Sequence, residues 1–315
     1  MQTRALSVPV TCLLAALGIG CSPSPQRASS NNESERAARV DTGHIAVPGG
    51  ALYYEAAGNG ATLVLLHPAF MDGRIWDPQF AVLARTNRVI RFDARGMGRS
   101  TAVRDTVRRV ADLDTLLRAL HAGPLTLVGN SLGGGTAIDF ALAHPDRMRG
   151  LMLVGTGLGG YTWTPESEQD PWRVAARAAL ARGDTVAVAR SWLKSEYLAA
   201  AARQPVVAAK IDTLLAENVG YWKGRLRHGD LDPDPDPRSI KRLGEIRVPT
   251  LAIVGSEDTP DMHRIADTLR ARIPGARLVV MQGVGHVPSV ERPEELLRLI
   301  QQFLAQLPAD TVRAP

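Results

Sequence analysis

The stretch from Leu125 to Gly133, which reads Leu-Thr-Leu-Val-Gly-Asn-Ser-Leu-Gly, decides the fold. Its first four residues are apolar or β-branched and predict a buried strand, and the alanine-rich segment at 136–143 predicts a helix. The Gly-x-Ser-x-Gly pattern between them is typical of a strand-to-helix turn that exposes a serine. Gly129 and Gly133 are needed because a Cβ at either position collides with the neighbouring strand or helix. The pattern predicts Ser131 as a nucleophile; a glycine-rich turn with an idle serine is the alternative.

Two further polar side chains follow strand-like segments downstream. Residues 250–254 lead into an acidic turn that contains Asp258, and residues 276–281 lead into a glycine-rich turn that ends in His286. An open α/β sheet builds its site at the carboxyl ends of its strands. We therefore expect both side chains to lie near Ser131.

These motifs, in the order serine, acid, histidine, resemble the α/β-hydrolase superfamily, and the resemblance extends from about Gly43 to Leu307. It implies that Ser131 is the nucleophile, that His286 is the general base, and that Asp258 fixes the histidine tautomer. The other histidines, which have no comparable context, are expected to be structural: His44, His121, His144, His228 and His263.

The choice of acid rests on spacing alone. Glu257 and Asp261 lie beside Asp258, and an acidic turn after a strand also caps helices. The Gly-x-x-Asp spacing of the family favours Asp258, which leaves Asp261 as the expected cap of the helix at 260–272.

A second turn is expected to supply part of an oxyanion hole. An apolar strand ends in His67-Pro68-Ala69, where the family usually has His-Gly-x. By that resemblance the backbone N–H groups of Ala69 and Leu132 stabilise the oxyanion. Pro68 departs from the pattern and leaves the choice between Ala69 and Phe70 open. We expect the His67 side chain to brace the loop.

The loop at 92–100 matches the family's Asp-x-Arg-Gly-x-Gly-x-Ser pattern, and we expect Asp93 and Arg95 to hold it in place. Its glycines open no helix and the third glycine of a dinucleotide fingerprint is missing, which argues against a nicotinamide site. An Asp-x-Asp-x-Asp run near residue 230 lacks the glycine and terminal acid of a calcium loop, because Pro235 and Lys241 stand there. We expect neither a cofactor nor a metal.

The first residues resemble a secretory leader. Arg4 precedes an apolar stretch at 8–20 that is too short to span a bilayer as a mature helix. The small residues before Cys21 resemble a bacterial lipobox, which implies cleavage after residues 1–20 and acylation of Cys21; an ordinary signal peptide is the alternative. Residues 21–42, rich in Ser, Asn and charge, are expected to form a disordered tether. This organisation predicts export to the bacterial cell envelope and a membrane anchor.

The rest of the chain is long enough for one α/β domain with an insertion. Alternating strand and helix patterns predict a mostly parallel twisted sheet with helices on both faces, formed by residues 43–156 and 239–307. Residues 157–238 carry only helical patterns and predict a cap, and residues 308–315 form a tail. The net charge is +5, and the arginines are interspersed with acidic residues rather than gathered in one stripe. The charge pattern therefore does not indicate a nucleic-acid partner.

The predicted cap contains seven of the chain's fifteen aromatic residues. Aromatic side chains at helical spacing more often pack in a core, but a cap over a nucleophile also presents side chains to the substrate. Either role is open for each of them: Tyr161, Trp163, Trp172, Trp192, Tyr197, Tyr221 and Trp222.

Together these features predict a capped hydrolase that cleaves a small ester, thioester or lactone through an acyl group on Ser131. The local sequences at 67–72, 76–79 and 291–294 resemble the branch of the superfamily that includes 3-oxoadipate enol-lactonases, small carboxylesterases and cofactor-free haloperoxidases. The Gly-Asn-Ser motif at Ser131 also resembles that of the carbon–carbon bond hydrolases of aromatic breakdown. A binding protein with a vestigial triad is the alternative from another class.

Overall fold

The computed structural model describes residues 39–102, 106–221, 223–224 and 235–308. The predicted leader, Cys21, Trp222, His228 and most of the predicted tether lie outside these ranges. No helix in the described ranges has the length and apolar character needed to cross a bilayer.

Eight strands form one sheet in the spatial order β1-β2-β4-β3-β5-β6-β7-β8. The first two strands pair antiparallel, β2 pairs antiparallel with β4, and the remaining pairs are parallel. The predicted fold class is confirmed. The strands are β1 Asp41–Val47, β2 Gly50–Ala57, β3 Thr62–Leu66, β4 Arg88–Phe92, β5 Leu125–Asn130, β6 Met148–Val154, β7 Thr250–Gly255 and β8 Arg277–Met281.

Helices connect the parallel strands, and a run of short helices separates β6 from β7. The core helices are α1 Asp77–Leu83, α2 Arg109–Ala119, α3 Leu132–Ala143, α9 Pro260–Arg272, α10 Pro288–Glu291 and α11 Pro293–Ala305. The described helices between β6 and β7 are α4 Pro165–Glu168, α5 Pro171–Ala181, α6 Thr185–Leu193, α7 Ala199–Ala202 and α8 Pro205–Glu217. We call this second group the cap.

The centre of the sheet is buried on both faces. Every residue of β3, β5 and β7 is buried, which explains why these strands are continuous apolar runs rather than alternating ones. Fully burying each of their Leu, Ile or Val side chains contributes about 1.5–3 kcal/mol. This burial fixes the strand ends, and therefore the turns that follow them.

Two boundaries differ from the sequence prediction. β1 begins at Asp41, so the predicted tether at 21–42 overlaps the first strand by two residues. Within the predicted cap, the sequence at 185–199 has a helical pattern, but the helix is interrupted: α6 ends at Leu193, and a 3-10 turn at Glu196–Leu198 precedes α7. The interruption allows both Tyr197 and Leu198 to be buried in the interior. Helical periodicity alone does not predict this burial.

Candidate active site

Ser131 lies in the turn between β5 and α3 with φ 52° and ψ −114°. A non-glycine residue in such a conformation costs about 1–3 kcal/mol and persists only where the surroundings enforce it. A Cβ on Gly129 would lie 2.4 Å from the carbonyl oxygen of Gly133, and a Cβ on Gly133 would lie 2.5 Å from that of Leu66. Close packing of strand, turn and helix therefore requires both glycines.

Asp258 and His286 form a buried hydrogen-bonded pair, with 2.9 Å between Oδ2 and Nδ1. The other carboxylate oxygen of Asp258 accepts from the backbone N–H of Thr259 at 2.8 Å. Glu257, whose side chain is 39% exposed, instead pairs with Arg203. Of the neighbouring acids, the structure brings Asp258 to the histidine.

The opposite ring nitrogen of His286, Nε2, is buried and has no hydrogen-bond partner among the described residues. His286 and Ser131 line one cavity of about 400 Å³ beneath the cap, together with Ala69 and Leu132. Catalytic hydrogen bonds often tighten only when substrate is bound. Because Asp258 occupies Nδ1, Nε2 is the ring atom left for the serine proton.

The amide side chain of Asn130 connects the nucleophile turn to the histidine turn. Its Nδ2 donates to the carbonyl oxygens of Val154, at 2.8 Å, and of His286, at 3.1 Å. Asn130 is fully buried. Since it directly precedes Ser131, it fixes the separation of the two turns.

Glu291 holds the backbone on both sides of the histidine. Its carboxylate accepts from the N–H of Gly285 at 2.8 Å and from that of Val287 at 2.9 Å. Burial raises the pKa of Glu291 above its ordinary value, although these two hydrogen bonds favour the charged form. The carboxylate therefore stiffens the turn that carries His286.

The end of β6 leaves room for the pair. Gly155 has φ 46°, and a Cβ there would lie 3.1 Å from both the Oδ2 of Asp258 and the Nδ1 of His286. The glycine thus allows the strand to pass beside the hydrogen bond.

The turn after β3 has the features expected for an oxyanion loop. The Nε2 of His67 accepts from the backbone N–H of Ala94 at 2.9 Å, so its Nδ1 donates to the carbonyl of Pro68 at 2.7 Å. The expected role of His67 as a brace is confirmed. Phe70 has φ 65°, which marks local strain, and both Ala69 and Phe70 line the cavity.

The loop that carries Asp93 is held from several directions. Asp93 accepts from the backbone N–H groups of Gly73 and Arg99, both at 2.8 Å. Arg95 instead forms a buried two-pronged pair with Asp112 of α2, at 2.7 and 2.8 Å. Asp93 therefore fastens the loop to the segment after the oxyanion turn, and Arg95 fastens it to a helix.

Asp72 joins the turn after β3 to the cap. It accepts from the guanidinium of Arg74 at 2.7 and 2.9 Å and from the amide of Asn218, at the end of α8, at 2.8 Å. Burial raises the pKa of Asp72, but these hydrogen bonds outweigh it and lower the pKa to about 2. The carboxylate is charged at neutral pH and holds α8 against the core.

Asp261 makes a second connection between core and cap. The residue that caps α9 is Thr259, and Asp261 lies in the first turn of the helix. Its carboxylate accepts from the hydroxyl of Tyr161 at 2.6 Å and from that of Thr164 at 3.1 Å. The expectation that Asp261 caps the N-terminus of α9 was therefore wrong. Its carboxylate binds the hydroxyls of Tyr161 and Thr164 instead, and these contacts fix the start of the insertion.

The cap presents a continuous aromatic wall to the cavity. Trp192 lies edge-on to Phe70 at 5.1 Å and to Trp172 at 4.7 Å between ring centroids, and it stacks on Tyr197 at 5.1 Å. Tyr197 in turn lies edge-on to His286 at 4.7 Å. Burial raises the pKa of Tyr197 to about 12, so its hydroxyl stays protonated. The wall therefore reaches from the oxyanion loop to the histidine.

The structure describes six of the seven aromatic residues of the predicted cap, all but Trp222, and divides these six by role. Four of them line the cavity: Trp163, Trp172, Trp192 and Tyr197. Tyr161 binds Asp261, and Tyr221 packs against a separate small cluster with Met97.

Sequence reasoning missed the residues that hold the histidine turn in place. Asn130 belongs to the motif around Ser131 and Glu291 to the motif before the last helix, but neither motif predicts a role for these two side chains. The available signals were an amide directly before the nucleophile, an acid five residues after His286, and the glycine Gly155 directly after a strand. Tyr197 carried no signal beyond its aromatic ring.

A model of the alpha/beta hydrolase family matches residues 63–299. A similar curated protein is the 2-hydroxy-6-oxononadienedioate/2-hydroxy-6-oxononatrienedioate hydrolase of Paraburkholderia xenovorans, 29% identical over 81% of this chain and 90% of its own length. Another is the pimeloyl-[acyl-carrier protein] methyl ester esterase of Aromatoleum aromaticum, 30% identical over 78% of this chain and 99% of its own length.

Among solved structures, the enol-lactonase from Burkholderia xenovorans is 26% identical with a TM-score of 0.68, over 84% of this chain and 100% of its own. The family match covers most of the chain, and these similar proteins are hydrolases. The chain belongs to the alpha/beta hydrolase family.

Proposed function

We propose that this protein is a serine hydrolase that cleaves a small ester, thioester or lactone through an acyl-enzyme on Ser131. One observation carries the proposal: His286 is anchored through Nδ1 to Asp258, its Nε2 has no hydrogen-bond partner in the described part of the chain, and it lines the same cavity as the strained Ser131. A serine hydroxyl becomes a useful nucleophile only beside such a base.

In the first half-reaction, the Oγ of Ser131 attacks the substrate carbonyl carbon and its proton passes to the Nε2 of His286. Asp258 stabilises the imidazolium through Nδ1. Backbone N–H groups of Ala69 and Leu132 stabilise the oxyanion. The bond to the leaving group then breaks, and His286 gives its proton to the departing oxygen or sulfur.

In the second half-reaction, water attacks the acyl carbon and gives a proton to His286. The bond to Ser131 breaks, and the proton returns from His286 to the serine oxygen. The free acid leaves and the enzyme is regenerated. This cycle needs no group beyond the chain and water.

A carbon–carbon bond hydrolase of the meta-cleavage type is the second candidate. It is favoured by the name of the Paraburkholderia relative and by Asn130 directly before Ser131. The turn at His67-Pro68 lacks the glycine-rich oxyanion loop usual in such enzymes, which favours the ester reaction.

A fluorophosphonate probe and a substrate panel test the proposal on the chain without its leader. We expect stoichiometric labelling of Ser131, none in Ser131→Ala, and turnover of p-nitrophenyl esters, thioesters or lactones. Turnover confined to a 2-hydroxy-6-oxo dienoate establishes the second candidate. A folded protein that neither reacts with the probe nor turns over a substrate is a binding protein, the alternative from another class.

The proposed setting is the bacterial cell envelope. The lipobox-like residues before Cys21 support acylation of that cysteine and attachment to a membrane. The segment between Cys21 and β1 then provides the spacer between the anchor and the catalytic domain.

A further inference from the structure

The cavity wall above the nucleophile contains an arginine among aromatic rings. Arg173, on α5, lines the same cavity as Ser131 and His286. Its guanidinium carbon lies 4.8 Å from the ring centroid of Trp172 and 4.9 Å from that of Trp163. The side chain is only 17% exposed. A guanidinium is thus held in place beside the reaction chamber.

The polar contacts of Arg173 leave its buried Nε donor unused. Nη2 donates to the hydroxyls of Tyr197, at 3.0 Å, and Ser167, at 3.3 Å. Nε is buried and has no hydrogen-bond partner among the described residues. The carboxylate of Asp170 lies 4.0 Å from Nε and forms an ion pair with the guanidinium, but this distance is too long for a hydrogen bond.

Two neighbouring residues have the same deficit. The indole N–H groups of Trp172 and Trp192 are buried and have no acceptor in the described part of the chain. Both tryptophans line the cavity. Buried donors are normally paired, and leaving one unpaired costs about 1–3 kcal/mol. Three residues that line the cavity therefore each carry a buried donor that no described residue accepts, and one of these donors belongs to a cation.

Donors without acceptors select a ligand that has only acceptors to offer. A carboxylate provides two oxygens with about four lone-pair sites, matches the fork of a guanidinium, and complements its charge. The surrounding rings and Leu180 give the cavity an apolar lining. Arg177, one turn after Arg173 on α5, also lines the cavity, but its side chain is 58% exposed and paired with Glu168, so it lies at the rim.

We propose that Arg173 binds a carboxylate on the substrate, remote from the scissile carbonyl, and that the natural substrates are anionic esters, thioesters or lactones with an apolar spacer. This inference rests on the proposed function, because it names the substrate class of the same site. Trp172 and Trp192 supply additional donors to the carboxylate.

Matched pairs of substrates test the proposal. Mono-p-nitrophenyl esters of succinate, glutarate, adipate and suberate place a carboxylate on the acyl side, with p-nitrophenyl alkanoates of equal chain length as neutral partners. 4-Carboxyphenyl and 4-carbamoylphenyl butyrate place the charge, or its neutral analogue, on the leaving group. At low ionic strength, kcat/KM should favour the best anionic ester by about tenfold or more, as a charge-assisted hydrogen bond in a partly buried site provides.

Arg173→Met keeps the length of the side chain and removes its charge. We expect it to abolish the preference for the anionic partner, while hydrolysis of the neutral partner continues. A collapse of the cap slows both members of a pair and leaves their ratio unchanged, so the ratio separates recognition from folding. Arg177→Met is the matched control and should keep the preference. A preference that survives in Arg173→Met, or is lost in Arg177→Met, overturns the assignment.

The two proposals fail in different ways. If wild-type protein hydrolyses neutral esters and shows no preference for anionic ones, the carboxylate site is wrong and the serine hydrolase stands. If Ser131 is not labelled and no ester is cleaved, the proposed function fails, and thermal shifts then decide the site. Adipate, compared with hexane-1,6-diol, should raise the Tm of wild-type protein and not that of Arg173→Met; equal shifts overturn the site.

Discussion

The amide of Asn130 donates a 3.1 Å hydrogen bond to the carbonyl oxygen of His286, and this bond connects the nucleophile turn to the histidine turn. The same Nδ2 donates to Val154. Because both acceptors are backbone oxygens, the contact sets the positions of the two turns and leaves the imidazole free to react.

We expect Asn130→Ala to lower both stability and turnover. Losing the amide leaves the buried carbonyl of His286 without its donor, at a cost of about 1–3 kcal/mol, whereas the carbonyl of Val154 keeps the backbone N–H of Ser131. The freed histidine turn should also reduce kcat. Asn87→Ala, which removes an amide bound to the carbonyl of Leu83 away from the site, is the matched control and should leave kcat unchanged. Thermal melts and ester kinetics measure both effects; unaltered kcat in folded Asn130→Ala contradicts the positioning role.

Replacing Ser131 with glycine should stabilise the protein relative to alanine. Both changes remove the nucleophile, but only glycine relieves the strain of φ 52°, which costs about 1–3 kcal/mol. Urea unfolding of Ser131→Gly and Ser131→Ala compares two proteins without the hydroxyl, so chemistry does not enter. An alanine variant that unfolds at higher urea than the glycine variant shows that the turn stores no such strain.

Asp258→Asn should preserve the fold and remove most of the activity. An amide in place of the carboxylate presents the wrong histidine tautomer to Ser131, a change that costs on the order of a thousandfold or more in kcat in serine proteases. Glu257→Gln removes the neighbouring acid, which is bound to Arg203, and should keep nearly full activity. If Glu257→Gln is the inactive variant instead, the acid has been misassigned.

Asp72 should contribute stability that disappears in acid. Its pKa is lowered from 3.8 to about 2 in the folded protein, so the charged form favours folding above pH 3.8, and the contribution is lost as pH falls from there towards 2. A shift of this size corresponds to about 2 kcal/mol. The difference in unfolding free energy between wild type and Asp72→Asn should shrink by that amount between pH 6 and pH 2. A difference that does not change with pH rules out the depressed pKa.

Cys21→Ser should release the protein from membranes. Acylation attaches a lipoprotein through its cysteine, and serine cannot replace the thiol. Membrane fractionation and the intact mass of the mature chain are the measurements. If the serine variant still sediments with membranes and the wild-type mass shows no lipid, the anchor is wrong, although export alone remains compatible with that result.

The sequence by itself determined the strand order along the chain, the elbow at Ser131, and the turns that hold Asp258 and His286. These features are local: a buried strand is a short apolar run, and a strained turn needs glycine at fixed spacing. The strands predicted at 125–128 and 250–254 agree with the structure to within two residues at each end, because burial on both faces leaves no alternative to apolar side chains.

The tertiary structure decided the partners that come from distant parts of the chain. The family spacing favoured Asp258 over Glu257 and Asp261, but only the approach of β7 and β8 showed that Asp258 reaches the histidine. The contacts of Asn130 and Glu291 with the turn around His286 likewise depend on how the loops pack. The position of Arg173 in the cavity lining depends on how the cap packs. Local sequence patterns specify strands and turns, whereas hydrogen bonds between residues far apart in the chain exist only once the sheet has brought them together.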